Sequence, residues 1–171
     1  MRTARLELRP LAERDLDDLV ELDGFTVIRE AVDPLGDLIP RDLTERRDYE
    51  RRLLGREDFQ AAVEVATGRF VGWFQTEAAG DRPREVELGY RIRPDAWGRG
   101  YATEGAAALL AAALERADVE RVYAHALLGN PASIRVMDKI GMRYVAPWEY
   151  RGLPGVEYEA RRAGEGSPRQ P

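Results

Sequence analysis

The sequence predicts a mixed α/β fold, an antiparallel meander followed by strands reached through helical crossovers, in a single domain over residues 1–163. Three observations predict it. Residues 59–93 hold three β-prone runs separated by short glycine turns, the pattern of hairpins. An alanine-rich stretch follows, with Ala106, Leu109, Leu110, Ala113, Leu114 and Ala117 at i, i+3, i+4 spacing, which is the apolar stripe of a helix laid on a sheet. Beyond it, strand-like and helix-like segments alternate up to residue 161, with no internal repeat.

The elements follow in order. Ala4 to Arg9 alternates Leu6 and Leu8 against Arg5, Glu7 and Arg9, giving a first strand that Pro10 stops. From Glu13 to Leu22 the apolar Leu16, Leu19 and Val20 fall at helical spacing, with Asp15, Asp17 and Asp18 near the positive end of the helix dipole. Asp23 to Pro40 mixes Gly, Pro and isolated apolar residues and reads as a long loop. A polar helix covers Asp42 to Leu54 and ends at Gly55. Phe59 to Val65 and Phe70 to Thr76 form a hairpin about Ala66–Arg69; Gly80 to Pro83 turns into a strand from Glu85 to Arg93. The alanine-rich helix spans Thr103 to Arg116, a strand Arg121 to Leu128, and a helix runs from Asn130 to Gly141. Short strands at Arg143–Ala146 and Val156–Arg161 close the order β-α-α-β-β-β-α-β-α-β-β. Residues 164–171, all Gly, Ser, Pro, Gln and charge, read as a disordered tail.

Composition narrows the chemistry. The chain has 171 residues, 44% hydrophobic and 33% charged, enough for one real core. No apolar run approaches the roughly 20 residues that cross a bilayer, and the charged N-terminus lacks the apolar core of a secretory signal. A cytoplasmic protein without membrane contact is expected. There is no cysteine, which excludes disulfides, thiolate metal sites and a cysteine nucleophile. The single histidine, His125, excludes a site built on several imidazoles, so no metal is expected. A net charge of -5 gives no reason to expect nucleic-acid binding.

The chemistry concentrates at residues 97–105, W-G-R-G-Y-A-T-E-G, between a strand and a helix. The first amides of a helix lack partners and its dipole favours negative charge there, so this junction can hold an anion. Gly98 and Gly100 let the backbone approach a phosphate, and Arg99 could add a cation. A tight strand-to-helix turn with no ligand explains the two glycines equally well. A Walker A loop is excluded because Gly-Lys-Ser/Thr is absent. The dinucleotide fingerprint is excluded because the next glycine after Gly100 is Gly105 and the preceding strand order is wrong.

A longer pattern resembles a known family. E87-L-G-Y-R-I-R-P-D-A-W-G-R-G-Y-A-T-E104 is similar to the acyl-CoA-binding motif of the GNAT superfamily of N-acetyltransferases, whose Gln/Arg-x-x-Gly-x-Gly/Ala falls on Trp97 to Ala102. Trp97 replaces the usual first residue, and together with the flanking G-Y and A-T-E it resembles the Rim-type branch, which contains the ribosomal-protein N-terminal acetyltransferases. Asn130-Pro-Ala-Ser133 through Lys139, Gly141 and Met142 is similar to that branch's N-x-x-S-x-x-x-x-x-K-x-G-F, and Thr3 to Pro10 to its first strand. The likeness covers about residues 3–160 and is weakest from Asp23 to Arg56.

The resemblance implies a GNAT-like fold with two splayed central strands, ending near Ile92 and Leu127, and coenzyme A in the cleft between them. The pyrophosphate would lie on Gly98, Arg99, Gly100, Tyr101, Ala102 and Thr103, beside Trp97, and the pantetheine arm along Tyr90, Arg91 and Ile92. Asn130 and Ser133 would complete the cofactor site. Transfer from acetyl-CoA to a primary amine, a peptide N-terminus or a small molecule, would be direct, in a ternary complex and without a metal. Glu87 is the candidate base; pairing with Arg91 on a solvated face explains it equally well. The family's tyrosine acid falls on Met137, so Ser133 is the candidate hydroxyl, with satisfaction of helix amides as its structural alternative. Asn130 before Pro131 is also a strong helix cap.

Other residues receive structural roles. His125 is expected to be a packed histidine in mid-strand, Trp73 and Phe74 core aromatics, and Arg46, Arg47, Arg51 and Arg52, mixed with Glu45, Asp48 and Glu50, a solvated helix face. Tyr150 and Tyr158 could reach the cleft. An acyl-CoA-binding module without transfer and a nucleotide-binding protein are the competing functions. Relatives of the Rim type suggest a monomer or homodimer.

Overall fold

The computed structural model describes residues 1–78, 80 and 82–162; the expected tail at 164–171 lies outside the described residues. Seven strands form one sheet: β1 (Leu6–Pro10), β2 (Phe59–Glu64), β3 (Phe70–Ala78), β4 (Glu85–Ile92), β5 (Arg121–Leu127), β6 (Arg143–Tyr150) and β7 (Leu153–Arg161). Their spatial order is β1-β2-β3-β4-β5-β7-β6. All pairs are antiparallel except β4–β5, which is parallel. That parallel pair is bridged by a helical crossover, as chain geometry requires.

Five α-helices accompany the sheet: α1 (Leu16–Leu22), α2 (Thr26–Val32), α3 (Leu43–Arg51), α4 (Tyr101–Glu115) and α5 (Pro131–Lys139). The expected loop from Asp23 to Pro40 therefore contains a helix. Ile28 is buried and Phe25 and Val32 pack beside it, so short helical spacing was present amid the glycine and prolines. After α2 the chain is tied down by Asp33, whose carboxylate accepts hydrogen bonds from the amides of Asp37, Leu38 and Ile39. The last two strands are longer than expected and meet at Arg151–Gly152, both left-handed (φ 51 and 88), the geometry of a two-residue hairpin turn.

Two cores lie on opposite faces. One joins Leu6, Leu8, Val86, Leu88, Ile92, Val122 and Ala124 to the α4 stripe, including Ala106, Leu109, Leu110 and Ala113. The other packs Leu19, Leu22 and Ile28 onto Phe59, Ala61, Phe70 and Trp73. The alternation along β4 is as expected, and its register with β3 runs without a bulge from Val86 to Ile92. The irregularity falls instead between Ala62 and Val63 of β2, opposite Gly72 and Phe70, which lets Val71 and Phe74 share the α4 face. The phenyl ring of Phe74 lies under α4 where a Cβ on Gly105 would have to stand.

The α3 helix departs from a solvated face at one residue. Glu50 is fully buried, against Asp23, which is buried too. Arg47 and Arg51 do stay on the surface, paired with Asp17 and Asp48, while Arg46 reaches inward to the carbonyls of Pro40 and Val20.

Candidate active site

The site begins where the sheet opens. β4 and β5 pair only at Glu85–Arg121, Val86–Val122 and Glu87–Tyr123; from Leu88 and Ala124 onward the strands part. β5 continues to pair with β7 as far as Leu127, so the unpaired edges face one another across a gap. Two cavities of about 430 and 310 Å³ fill that gap. Tyr90, Asn130, Ser133, Val136, Ala31 and Val32 line both, making one continuous cleft roofed by α2 and α5.

The larger cavity ends at α4. Gly98 and Gly100 adopt φ of 72 and 83, the left-handed conformation that glycine takes without strain. Gly100 is the N-cap and no side chain caps the helix, so the amides of Tyr101, Ala102 and Thr103 open the helix with their donors uncommitted to a cap. Tyr101, Ala102, Thr103, Gly98, Gly100 and Trp97 line this cavity. Trp97 fixes the turn: its indole Nε1–H donates to the Ile92 carbonyl at 2.7 Å.

Two arginine side chains are engaged elsewhere. The Arg99 guanidinium turns from the cleft to Glu64, 3.2 Å away, and over the Tyr101 ring. The Arg91 side chain ion-pairs with Asp23 and stacks on Trp73, leaving its backbone for the cleft. Cations come instead from α5. Arg135 and Lys139, one turn apart, both line the larger cavity, and neither pairs with a carboxylate among the described residues. Sequence reasoning passed over them, although their i, i+4 spacing after the Asn130–Pro131 helix start placed both on one face.

At the junction of the cavities, Asn130 Oδ1 accepts from the Ser133 amide at 3.2 Å, the expected cap. Ser133 Oγ in turn receives the Tyr90 hydroxyl at 3.3 Å. Burial pushes the Tyr90 phenol above its ordinary pKa, so it holds its proton. Met137 is buried and lines the smaller cavity.

The smaller cavity carries the ionisable groups. Glu87 lines it and does not pair with Arg91; its Oε1 lies 3.4 Å from His125 Nδ1. His125 Nε2 is 2.9 Å from Glu157 Oε2. Glu157 also meets Arg121, and although burial opposes it, these hydrogen bonds hold its carboxyl below the usual range. A carboxylate kept ionised beside Nε2 favours a proton on that nitrogen. His125 is packed, as expected, since its ring stacks on Trp148 at 4.2 Å and 13°. It also faces the cleft, which its place two residues past the end of the β4–β5 pairing explains. Tyr150 lines the cleft too, whereas Tyr158 is buried in the core.

Such a splayed sheet, with a glycine-started helix at one end of the gap and Glu87 and His125 at the other, is an arrangement suited to acyl transfer. The sequence profile of the acetyltransferase (GNAT) domain matches residues 5–143, and the chain belongs to that family. It is 30% identical over 158 residues to an FsC-acetyl coenzyme A-N(2)-transacetylase from Aspergillus fumigatus, a match covering 85% of this chain and 65% of that protein. The chain thus spans somewhat less than two thirds of that relative's length. A GNAT-family acetyltransferase from Bacillus anthracis superposes with a TM-score of 0.82 at 20% identity, over 94% of this chain and 97% of that one. A spermidine N-acetyltransferase from Vibrio cholerae, solved with CoA and spermine, superposes with a TM-score of 0.75 at 14% identity, over 92% and 96%.

Proposed function

We propose that this chain transfers the acetyl group of acetyl-CoA to a primary amine by direct attack in a ternary complex. One observation carries the proposal: the uncapped first amides of α4, behind two left-handed glycines, open onto the same cleft as the unpaired Arg135 and Lys139. Backbone donors, a helix dipole and two free cations together suit a diphosphate. Gly98 to Thr103 would hold it, with Tyr90 to Ile92 offering the open strand edge to the pantetheine amides and Asn130 and Ser133 meeting them from α5.

Bound there, acetyl-CoA supplies the activated acyl carbon. Glu87, with His125 Nδ1 beside it, takes a proton from the ammonium and so frees the amine to attack. The hydroxyls of Tyr90 and Ser133, at the junction of the two cavities, return a proton to the departing sulfur. The absence of any cysteine removes an acetyl-cysteine intermediate and leaves the direct route. The Rim-type branch is the best assignment within the family, supported by E87-L-G-Y90, W97-G-R-G-Y-A-T-E104 and the N130-x-x-S133 helix start. A cytoplasmic location fits a chain in which no helix among the described residues is long and apolar enough to cross a membrane.

The test is release of free coenzyme A from acetyl-CoA across an amine panel, with thermal shifts in acetyl-CoA, ATP and NAD alongside. Amine-dependent release and stabilisation by acetyl-CoA are expected. Stabilisation by a nucleotide alone, or binding without release, would overturn the proposal.

A further inference from the structure

Resting on the acetyl-transfer reading, we infer that the acceptor is a small primary amine bearing an aromatic group, seated against a wall of stacked rings with its nitrogen at Glu87. The wall consists of His125, Trp148 and Tyr150, all lining the smaller cavity. His125 and Trp148 stack at 4.2 Å and 13°, and Trp148 and Tyr150 at 6.0 Å and 21°. These near-parallel rings come from β5 and β6, on the far side of the opened sheet. Facing them are Ala31 and Val32 of α2 and Leu38 of the loop behind it. A flat apolar group between a ring wall and an aliphatic wall gains the burial of both its faces.

Charge points the same way. Glu87 is the only carboxylate on the cavity lining. Glu157, on the other side of His125, is already engaged by Arg121, Arg82 and His125. One ammonium is therefore matched. Every further ammonium of a polycation would lie on Val32, Leu38 or an aromatic face without a carboxylate, at the desolvation cost of an unpaired charge.

Size agrees. The cavity of about 310 Å³ is at the lower end for ligand sites. Its two walls are tied together by an ion pair between Asp37, next to Leu38, and Arg151, next to Tyr150. The three amides held by Asp33 fix the loop that carries Asp37 and Leu38. In the transfer, the amine lone pair forms the N–C bond as the C–S bond breaks. Beforehand one ammonium proton passes to Glu87 to free that lone pair; the second nitrogen proton leaves to solvent as the amide forms, and sulfur receives a proton from the Tyr90–Ser133 hydroxyls, which solvent replaces.

The experiment measures kcat/KM on the full chain for 2-phenylethylamine, spermidine, kanamycin and a short peptide with N-terminal Phe. We expect 2-phenylethylamine to lead the others by at least about tenfold, the scale of one apolar contact in a specificity pocket. Leu38→Ser and Trp148→Leu should each raise its KM by about tenfold while leaving the Kd for coenzyme A unchanged. Leu38 is surface-accessible, so that variant keeps the test usable should the tryptophan replacement misfold. Preference for a polycation or for the peptide, or an unchanged KM in the Leu38 variant, overturns the acceptor assignment and leaves acetyl transfer standing. Tight coenzyme A binding with no amine consumed overturns both.

Discussion

The Tyr90 hydroxyl, on β4, donates to Ser133 Oγ, on the first turn of α5, at 3.3 Å across the opened sheet. The tyrosine expected from α5 is replaced by Met137, and a phenol nevertheless reaches the middle of the cleft from the opposite wall. Because burial holds that phenol protonated, it is suited to donate. Tyr90→Phe should lower kcat about ten- to hundredfold, within the usual range for losing a general acid. The Kd for coenzyme A should stay within about twofold, since a single neutral hydrogen bond is worth little net. Stopped assays and calorimetry on the same preparation check both; an unchanged kcat would leave Ser133 as the sole donor.

Glu87→Gln removes the proposed base and keeps the shape. A fall in kcat/KM of about a hundredfold or more is expected, with coenzyme A affinity retained. His125→Gln, which keeps a hydrogen-bonding group near Glu87 and loses the imidazole ring, should change the pH–rate profile rather than only its height. Rates measured from pH 5.5 to 9.5 decide this, and parallel profiles would rule out a proton-transfer part for His125.

Arg135→Ala and Lys139→Ala each remove a cation that no described carboxylate uses. Each should weaken coenzyme A binding about three- to tenfold at low salt, as expected for an exposed charge contact, and the difference should shrink as salt is raised. Arg99→Ala, whose guanidinium lies on Glu64, should change binding less than either. Titrations at two salt concentrations separate the cases.

Glu50 offers a stability test away from the chemistry. Burial, with the neighbouring Asp23 carboxylate adding to it, pushes its pKa up to about 9. Neither Glu50 oxygen has a hydrogen-bond donor among the described residues, so the Glu50 carboxyl keeps its proton. A folded state that binds this proton more tightly than the unfolded chain loses stability as pH rises from about 4.5 towards 9. Glu50→Gln supplies the donor permanently. It should raise the melting temperature at pH 8, by on the order of 1 kcal/mol in stability or more, and much less at pH 5. A gain of equal size at both values would show that the carboxyl is not the titrating group.

Much of this fold was legible because its period signals were clean. The β4 alternation, the α4 stripe and the Asn130–Pro131 helix start carried the sheet, the crossover and the cap directly into sequence. The motif from Trp97 to Thr103 likewise marked the helix end that opens on the cleft. Helix α2 was hidden because Gly24, Pro34 and Gly36 flank a seven-residue helix whose apolar side is completed only by tertiary contact. Partnerships between residues distant in sequence were hidden for a similar reason. Arg91 meets Asp23, Glu87 meets His125 and Arg99 meets Glu64 across 68, 38 and 35 positions, where local spacing says nothing.

The Phe74 ring beneath Gly105 sets how low α4 rides over the sheet. A methyl added there, apolar and far from any reacting atom, must lift the helix or displace the ring, and Phe74 packs on Tyr90 at 5.6 Å. One missing carbon thus acts as a levelling shim for both ends of the machine. It governs the height of the α4 N-terminus and, through a single aromatic neighbour, the aim of the Tyr90 phenol.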